Sequence, residues 1–327
     1  MADEKIEFPG LDAPVAPLGV GTWAWGDKAT WGMGGYDSEL TEDRIVEAWT
    51  ATLDAGVALV DTAEVYGAGE SERIIGRLLA LEPSRRDSVV LATKFMPMPY
   101  KLNVGKALRS SLLASIDRLG VERVDLYQIH GPISLRSHKA MAEALATVVD
   151  EGLTRAVGVS NYSADEMEAV HAALAVHDVP LASNQIEYSL LRRMPETGGL
   201  MAACRGLEVV PLAYSPIGQG RLTGKYSAGN PPPGSRTFSS HPMEQVDAVV
   251  AELRRLGEAH DRTPSQVALR WIIQKGAVPI PGAKSAEQAT QNAGALGWTL
   301  TDDDMAHLDD VGLAGTRTLQ QRIWQHG

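Results

Sequence analysis

Short apolar runs alternate eight times with longer amphipathic segments along this chain, and that rhythm constrains the fold more than any single residue does. The runs are Leu18–Val20, those ending at Asp61, Lys94 and His130, then Ala156–Ser160, Leu181–Gln185, Glu208–Tyr214 and Val278–Pro281. They are apolar on both faces, as strands covered from both sides must be, and so read as parallel strands. Between them lie helix-like segments: Thr41 capping a helix to Ala55, Ser71–Leu79, Val104–Leu119 stopped by Gly120, Ser137–Glu151 and Ala164–His177. Gly199–Arg205, Glu244–His260, Pro264–Lys275 and Ala286–Ala295 continue the series. Such a chain closes into a barrel or stays an open doubly wound sheet. The count of eight, without a break in composition, predicts an α/β fold: a closed (β/α)8 TIM barrel as one domain over residues 1–327. Ile6-Glu7-Phe8 and Val15-Ala16, around Pro9-Gly10, predict a short N-terminal β-hairpin. Long loops follow strand 1 (about Trp23–Ser38) and strand 7 (Ser215–His241), and a C-terminal tail follows Gly312.

Composition limits the function classes. At 327 residues, 44% hydrophobic and 22% charged, the chain can bury a sizeable core. A net charge of -11 argues against nucleic-acid or anionic-membrane partners. The start Met1-Ala2-Asp3-Glu4-Lys5 lacks a signal-peptide core and no run is long enough to span a bilayer, so a cytoplasmic location is expected. Cys204, the single cysteine, forbids an intrachain disulfide and reads as packing. No metal site is expected: His171 and His177 are six apart, a poor ligand pair, and Asp302-Asp303-Asp304 reads as a helix N-terminus.

Gly19-Val20-Gly21-Thr22-Trp23-Ala24 matches the spacing of a dinucleotide fingerprint, but that fingerprint must open a helix. Glycine-rich sequence without a helical apolar period follows instead, so the open-sheet dehydrogenase reading is weak. The chemistry lies elsewhere. Parallel strands in one barrel share a C-terminal rim, which brings Asp61, Lys94 and His130 together, with Tyr66 five residues beyond Asp61. A phenol titrates near ~10; an adjacent ammonium lowers that value, and a carboxylate holds the ammonium charged. Tyr66 would then protonate an oxyanion as it forms, with His130 donating to the same oxygen. Taken singly, each residue has a structural explanation. Jointly, on successive strand ends, the structural explanation needs several coincidences.

Asp61-Thr62-Ala63-Glu64-Val65-Tyr66-Gly67, Thr93-Lys94 and Gln128-Ile129-His130 resemble the aldo-keto reductases, and the resemblance runs from about Leu18 to Asn292. Gly158-Val159-Ser160-Asn161, Asn184-Gln185, Tyr214-Ser215-Pro216-Ile217, Leu222-Thr223-Gly224-Lys225-Tyr226 and Pro281-Gly282-Ala283-Lys284 extend it. The resemblance implies reduction of aldehydes or ketones with NADPH, Tyr66 acting as general acid beside Asp61, Lys94 and His130. It implies that Ser160, Asn161 and Gln185 bind the nicotinamide carboxamide and that Tyr214 stacks on the ring. It also implies that Ser215, Ile217, Gly220 and Lys225 hold the pyrophosphate, that Arg236 in the same insert adds a phosphate contact, and that Pro216 belongs to the cofactor set. The resemblance further implies that Lys284 faces the 2′-phosphate and that Gln288, Gln291 and Asn292 face the adenine. Gly21, Thr22, Trp23 and Gly282 complete the implied cofactor set. Trp25 and Met96 are candidate pocket walls, with Trp23, Trp31 and Met98 nearby in the same stretches. Gly131-Pro132 stands where many relatives carry a bulky aromatic, which implies a roomier pocket. The alternatives are a cofactor-binding regulatory subunit with little turnover and an alcohol dehydrogenase working oxidatively. A small-molecule carbonyl partner is implied in either enzymatic case.

Overall fold

The computed structural model describes residues 4–26, 40–233 and 241–327. Eight strands pair in parallel and in chain order: β1 (Gly19–Gly21), β2 (Leu59–Asp61), β3 (Val90–Phe95), β4 (Val124–Ile129), β5 (Thr154–Ser160), β6 (Leu181–Glu187), β7 (Val210–Tyr214) and β8 (Val278–Pro279). The circle closes where the Gly21 N–H donates to Pro281 O at 3.0 Å and Gly21 bridges Gly282. This is a nearly closed (β/α)8 barrel, as the eightfold alternation predicts.

The helices are α1 (Trp23–Gly26), α2 (Glu42–Asp54), α3 (Glu70–Leu81), α4 (Val104–Leu119), α5 (His138–Asp150), α6 (Ala164–Ala175), α7 (Met194–Thr197) and α8 (Leu200–Gly206). They continue with α9 (Met243–His260), α10 (Pro264–Gln274), α11 (Ala286–Ala293), α12 (Asp302–Val311) and α13 (Leu319–Trp324). Local chemistry sets their starts. Thr41, Asn103, Ser137, Ser163, Thr263, Ser285 and Thr301 each accept a hydrogen bond from a backbone N–H in the first turn. Gly120 ends α4 in the left-handed conformation at φ 65°. The Asp302-Asp303-Asp304 run does open a helix, with Thr301 and Asp304 forming a capping box. Within the described residues, the fingerprint-like Gly19–Ala24 stretch runs into the short helix α1, which Trp23 itself opens.

Alternation along each strand separates two apolar layers. Val60, Leu91, Tyr127, Val157 and Val159 belong to the outer layer, one cluster with Trp49, Ile75, Leu112, Leu145 and Trp271 of the helix ring. Leu59, Ala92, Leu126, Ala156, Leu212 and Val278 point inward, where Phe8 and Val15 of the N-terminal hairpin close the barrel floor. The hairpin itself is held by the Ile6–Val15 bridge. Asp61, Lys94 and Gln128 share the inward parity one step nearer the C-terminal mouth. On β6 a register shift opposes Val157 to Leu181 but Gly158 to Ser183. That bulge resets the alternation, so that Gln185 points inward and Asn184 outward to Tyr162 O.

Cys204 is buried on α8 with its thiol pushed up to about 12 by burial, an inert packing residue. No helix among the described residues is long and apolar enough to cross a membrane.

Candidate active site

Lys94 organises the barrel mouth. Its ammonium has three N–H donors, and three acceptors surround it: Asp61 Oδ2 at 2.6 Å, Thr62 O at 2.8 Å and Tyr66 Oη at 3.4 Å. Lys94 is 0% exposed and Asp61 2% exposed, so the charges have little water to face. The second carboxylate oxygen of Asp61 accepts from Gln185 Nε2 at 2.8 Å and Gln128 Nε2 at 3.4 Å. Burial pulls the Lys94 ammonium below its ordinary value, with the Asp61 charge opposing.

Tyr66 reaches this cluster from a tight turn, Tyr66–Gly69, in which Gly67 and Ala68 are left-handed. Gly67 is constrained twice, by φ 58° and by neighbours. A Cβ there would stand 2.1 Å from Gly26 O, so only glycine lets the turn close against α1. The phenol ring meets His130 edge-to-face, with centroids 5.7 Å apart. One expectation is reversed. Burial, then the Asp61 charge, push the Tyr66 hydroxyl well above its ordinary value, although the Lys94 ammonium lies 3.4 Å away. His130, just past β4, is pushed well below the ordinary histidine value by burial and by Lys94. Phenol and imidazole are therefore both neutral at pH 7. The Nδ1 atom of His130 is buried, with no hydrogen-bond partner among the described residues.

Ser160, Asn161 and Tyr214 end the neighbouring strands. The Tyr214 hydroxyl donates to Asn161 Oδ1 at 2.8 Å, Asn161 Nδ2 donates to His130 O at 3.3 Å, and Ser160 Oγ donates to Gln185 O at 2.9 Å. Ser215, Pro216 and Ile217 lead into the turn Gly218–Thr223, where Gly220 takes φ 91°; Lys225 follows, exposed. Gly282 lies beside Gly21 at the β1–β8 seam. Lys284 precedes α11, and its N–H donates to Gln288 Oε1 at 3.0 Å; Gln291 and Asn292 lie on the same helix. Thr22 is buried and donates to Asp61 O at 2.9 Å, while Trp23 is half-buried. Arg236 and Trp31 lie outside the described residues.

The two candidate pocket walls fall in protein interior. Trp25 is buried in the outer core, packed edge-on against Trp49 with Nε1 donating to Ala283 O at 2.7 Å. Met96 is also buried, its N–H held by Glu64 Oε1 at 2.7 Å. Neither presents free surface at the mouth. The roomier pocket expected at Gly131 is not found either. A Cβ at Gly131 would meet the Trp324 ring at 3.2 Å, and that ring packs edge-to-face on His130 with centroids 5.5 Å apart. The tail thus returns an aromatic to the place where the strand end lacks one. Beyond Trp324, the His326 and Gly327 N–H groups donate to Asn161 O at 2.9 and 3.2 Å. Sequence reasoning left these tail residues unplaced, and it missed Gln128, whose inward parity with Leu126 was the available signal.

A sequence model of the Aldo/keto reductase family matches residues 17–312, nearly the whole of the barrel. The chain belongs to this oxidoreductase family. Among aldo/keto reductase relatives, the chloroplastic pyridoxal reductase of Arabidopsis thaliana is 35% identical over 98% of this chain and 89% of its own length. The NADH-specific methylglyoxal reductase of Escherichia coli is 30% identical over 95% of this chain and 99% of its own. Two solved structures agree with the barrel. The glycerol dehydrogenase of Gluconobacter oxydans superposes with a TM-score of 0.82 at 30% identity, covering 98% and 99% of the two chains. An aldo/keto reductase of Klebsiella pneumoniae in complex with NADP and acetate gives 0.73 at 28% identity, covering 97% and 98%.

Proposed function

We propose that this protein reduces aldehydes or ketones to alcohols with NADPH, and that Tyr66 delivers the proton. The observation that carries the reading is the Tyr66 hydroxyl, 3.4 Å from the Lys94 ammonium and on a ring packed against His130. A bound nicotinamide would supply the hydride. A carbonyl oxygen gaining negative charge beside Tyr66 takes the phenol proton, and the tyrosinate left behind faces Lys94. Charge develops next to a fixed cation, so the phenol becomes a stronger acid as the reaction proceeds. Asp61 keeps that cation in place, and neutral His130 orients the carbonyl oxygen.

The mouth suits a nicotinamide dinucleotide. Tyr214 is half-buried and anchored through its hydroxyl, which suits a stacking platform. Ser160, Asn161 and Gln185 adjoin it with amide and hydroxyl groups held by hydrogen bonds. The turn Gly218–Thr223, with Lys225 just beyond, offers backbone amides and a cation for the pyrophosphate. Arg236 belongs to the same proposed set.

Lys284 stands beside the N-terminus of α11, where an anion is favoured, and we assign it to the 2′-phosphate. A charge-assisted bond of this kind is worth about 1.5–3 kcal/mol, roughly ten- to over a hundredfold in affinity. The NADP complex of the Klebsiella relative supports NADPH; the NADH-specific Escherichia relative marks the preference as a property of individual chains. Trp324 beside His130 gives a flat apolar wall, which suits planar aromatic aldehydes. The pyridoxal reductase relative makes pyridoxal-type aldehydes the first to try.

The experiment is NADPH and NADH consumption with such an aldehyde, in the wild type and in Lys284→Ala. The wild type is expected to prefer NADPH, and Lys284→Ala to lose NADPH affinity about tenfold or more while NADH affinity hardly moves. Equal losses for both cofactors would overturn the Lys284 assignment, and cofactor binding without consumption would overturn the reductase.

A further inference from the structure

We propose that Gln325 is a positioning residue of the nicotinamide site, fixing the plane of the Tyr214 ring from the C-terminal tail; the inference rests on the reductase reading above. Gln325 is 1% exposed and lies 111 positions from Tyr214 in sequence. Its Nε2 amide spends both N–H groups inside the protein, donating to Tyr214 Oη at 2.6 Å and to Glu187 Oε2 at 2.8 Å. The Tyr214 hydroxyl has one proton, which it donates to Asn161 Oδ1 at 2.8 Å. The phenol oxygen is therefore gripped from two directions, as acceptor from the tail and as donor to the β5 end. A tyrosine ring turns about two side-chain bonds, and two directional bonds at its far end remove that freedom.

The grip has its own support. Glu187 is buried and lies 3.4 Å from Arg192 Nη1, itself 1% exposed. The Gln325 N–H donates to Gln321 O at 2.6 Å, and His326 Nδ1 pairs with Glu166 Oε1 at 2.8 Å. The remaining amide oxygen of Gln325 is buried, with no partner among the described residues. Its two donor contacts set the orientation of the amide. A chain of contacts thus runs from Arg192 through Glu187, Gln325, Tyr214 and Asn161 to the backbone of His130. It joins the tail to both the cofactor side and the carbonyl side of the mouth.

The test is a double-mutant cycle on the full chain, reading NADPH affinity from quenching of tryptophan fluorescence. Gln325→Met keeps the volume and removes the donors. It is expected to weaken NADPH binding about tenfold in the wild-type background, and by no more than about twofold in Tyr214→Phe, where the hydroxyl it grips is gone. Wild-type affinity in Gln325→Met, or an undiminished loss in the Tyr214→Phe background, overturns the proposal, since a tail that merely packs would give additive losses. Should Gln325→Met fail to fold, Tyr214→Phe alone removes the same bond from the other side, and unchanged NADPH affinity there overturns it. Failure of the underlying reading would appear instead in the wild type, as a chain that neither binds nor consumes NADPH.

Discussion

On the barrel floor, the inward positions Leu59, Ala92 and Leu126 pack against Phe8 and Val15; one step up the same strands, Asp61, Lys94 and Gln128 point the same way and carry a buried ion pair. The backbone geometry is the same at both levels, and the chemistry is opposite. At the floor, burial is favourable and non-directional, worth about 25 cal/mol per Å² of apolar surface. At the mouth, burial opposes the charged forms of Lys94 and Tyr66, and the cluster persists because each Lys94 donor finds an acceptor. The floor holds the fold; the mouth stores a charge arrangement that the floor keeps in register.

Breaking the pair should have the largest effect. Lys94→Met leaves the Asp61 carboxylate buried against two glutamine amides alone and should cost about 3–5 kcal/mol in chemical denaturation. Turnover should vanish with it. Replacing both partners, Asp61→Leu with Lys94→Met, should restore much of that stability and none of the turnover, whereas recovered turnover would show that the pair is not part of the chemistry. Leu126→Ala probes the floor. It should cost about 2–5 kcal/mol of stability and leave kcat per folded molecule unchanged. A fall in kcat there would mean that the two levels are coupled, not separable.

The smallest effect concerns pH. His130 has a lowered value in the folded chain, so the unfolded chain binds its proton first on acidification, and stability falls as pH drops below about 6.5. Tyr66 has a raised value, so the unfolded chain ionises first above about pH 10, and stability falls as pH rises past it. The thermal midpoint should fall less steeply below about pH 6.5 in His130→Asn than in the wild type. Equal slopes would remove the histidine from the acid limb.

Much of the mouth could be read from residues alone because strand ends are local signals. Asp61, Lys94 and His130 each close an apolar run, and parallel pairing brings them to one rim. Periodicity could not place Gln185, whose inward aim depends on the bulge between Leu181 and Ser183. It misjudged Trp25, which resembles a pocket aromatic in sequence but is drawn into the helix ring by Trp49 and Ala283. The tail was opaque for another reason. Trp324 and Gln325 owe their places to partners more than a hundred positions away, and no local pattern encodes the empty volume above Gly131 that the indole fills. The sign of the Tyr66 shift needed the structure too, since charge neighbours were legible and the depth of burial was not.

The most direct measurement compares wild type with Tyr66→Phe, following NADPH oxidation with an aromatic aldehyde alongside NADPH binding. Steady turnover is expected in the wild type, and in Tyr66→Phe unchanged NADPH affinity with kcat reduced about 10²- to 10⁴-fold. A Tyr66→Phe protein that keeps its kcat would contradict the acid role of Tyr66.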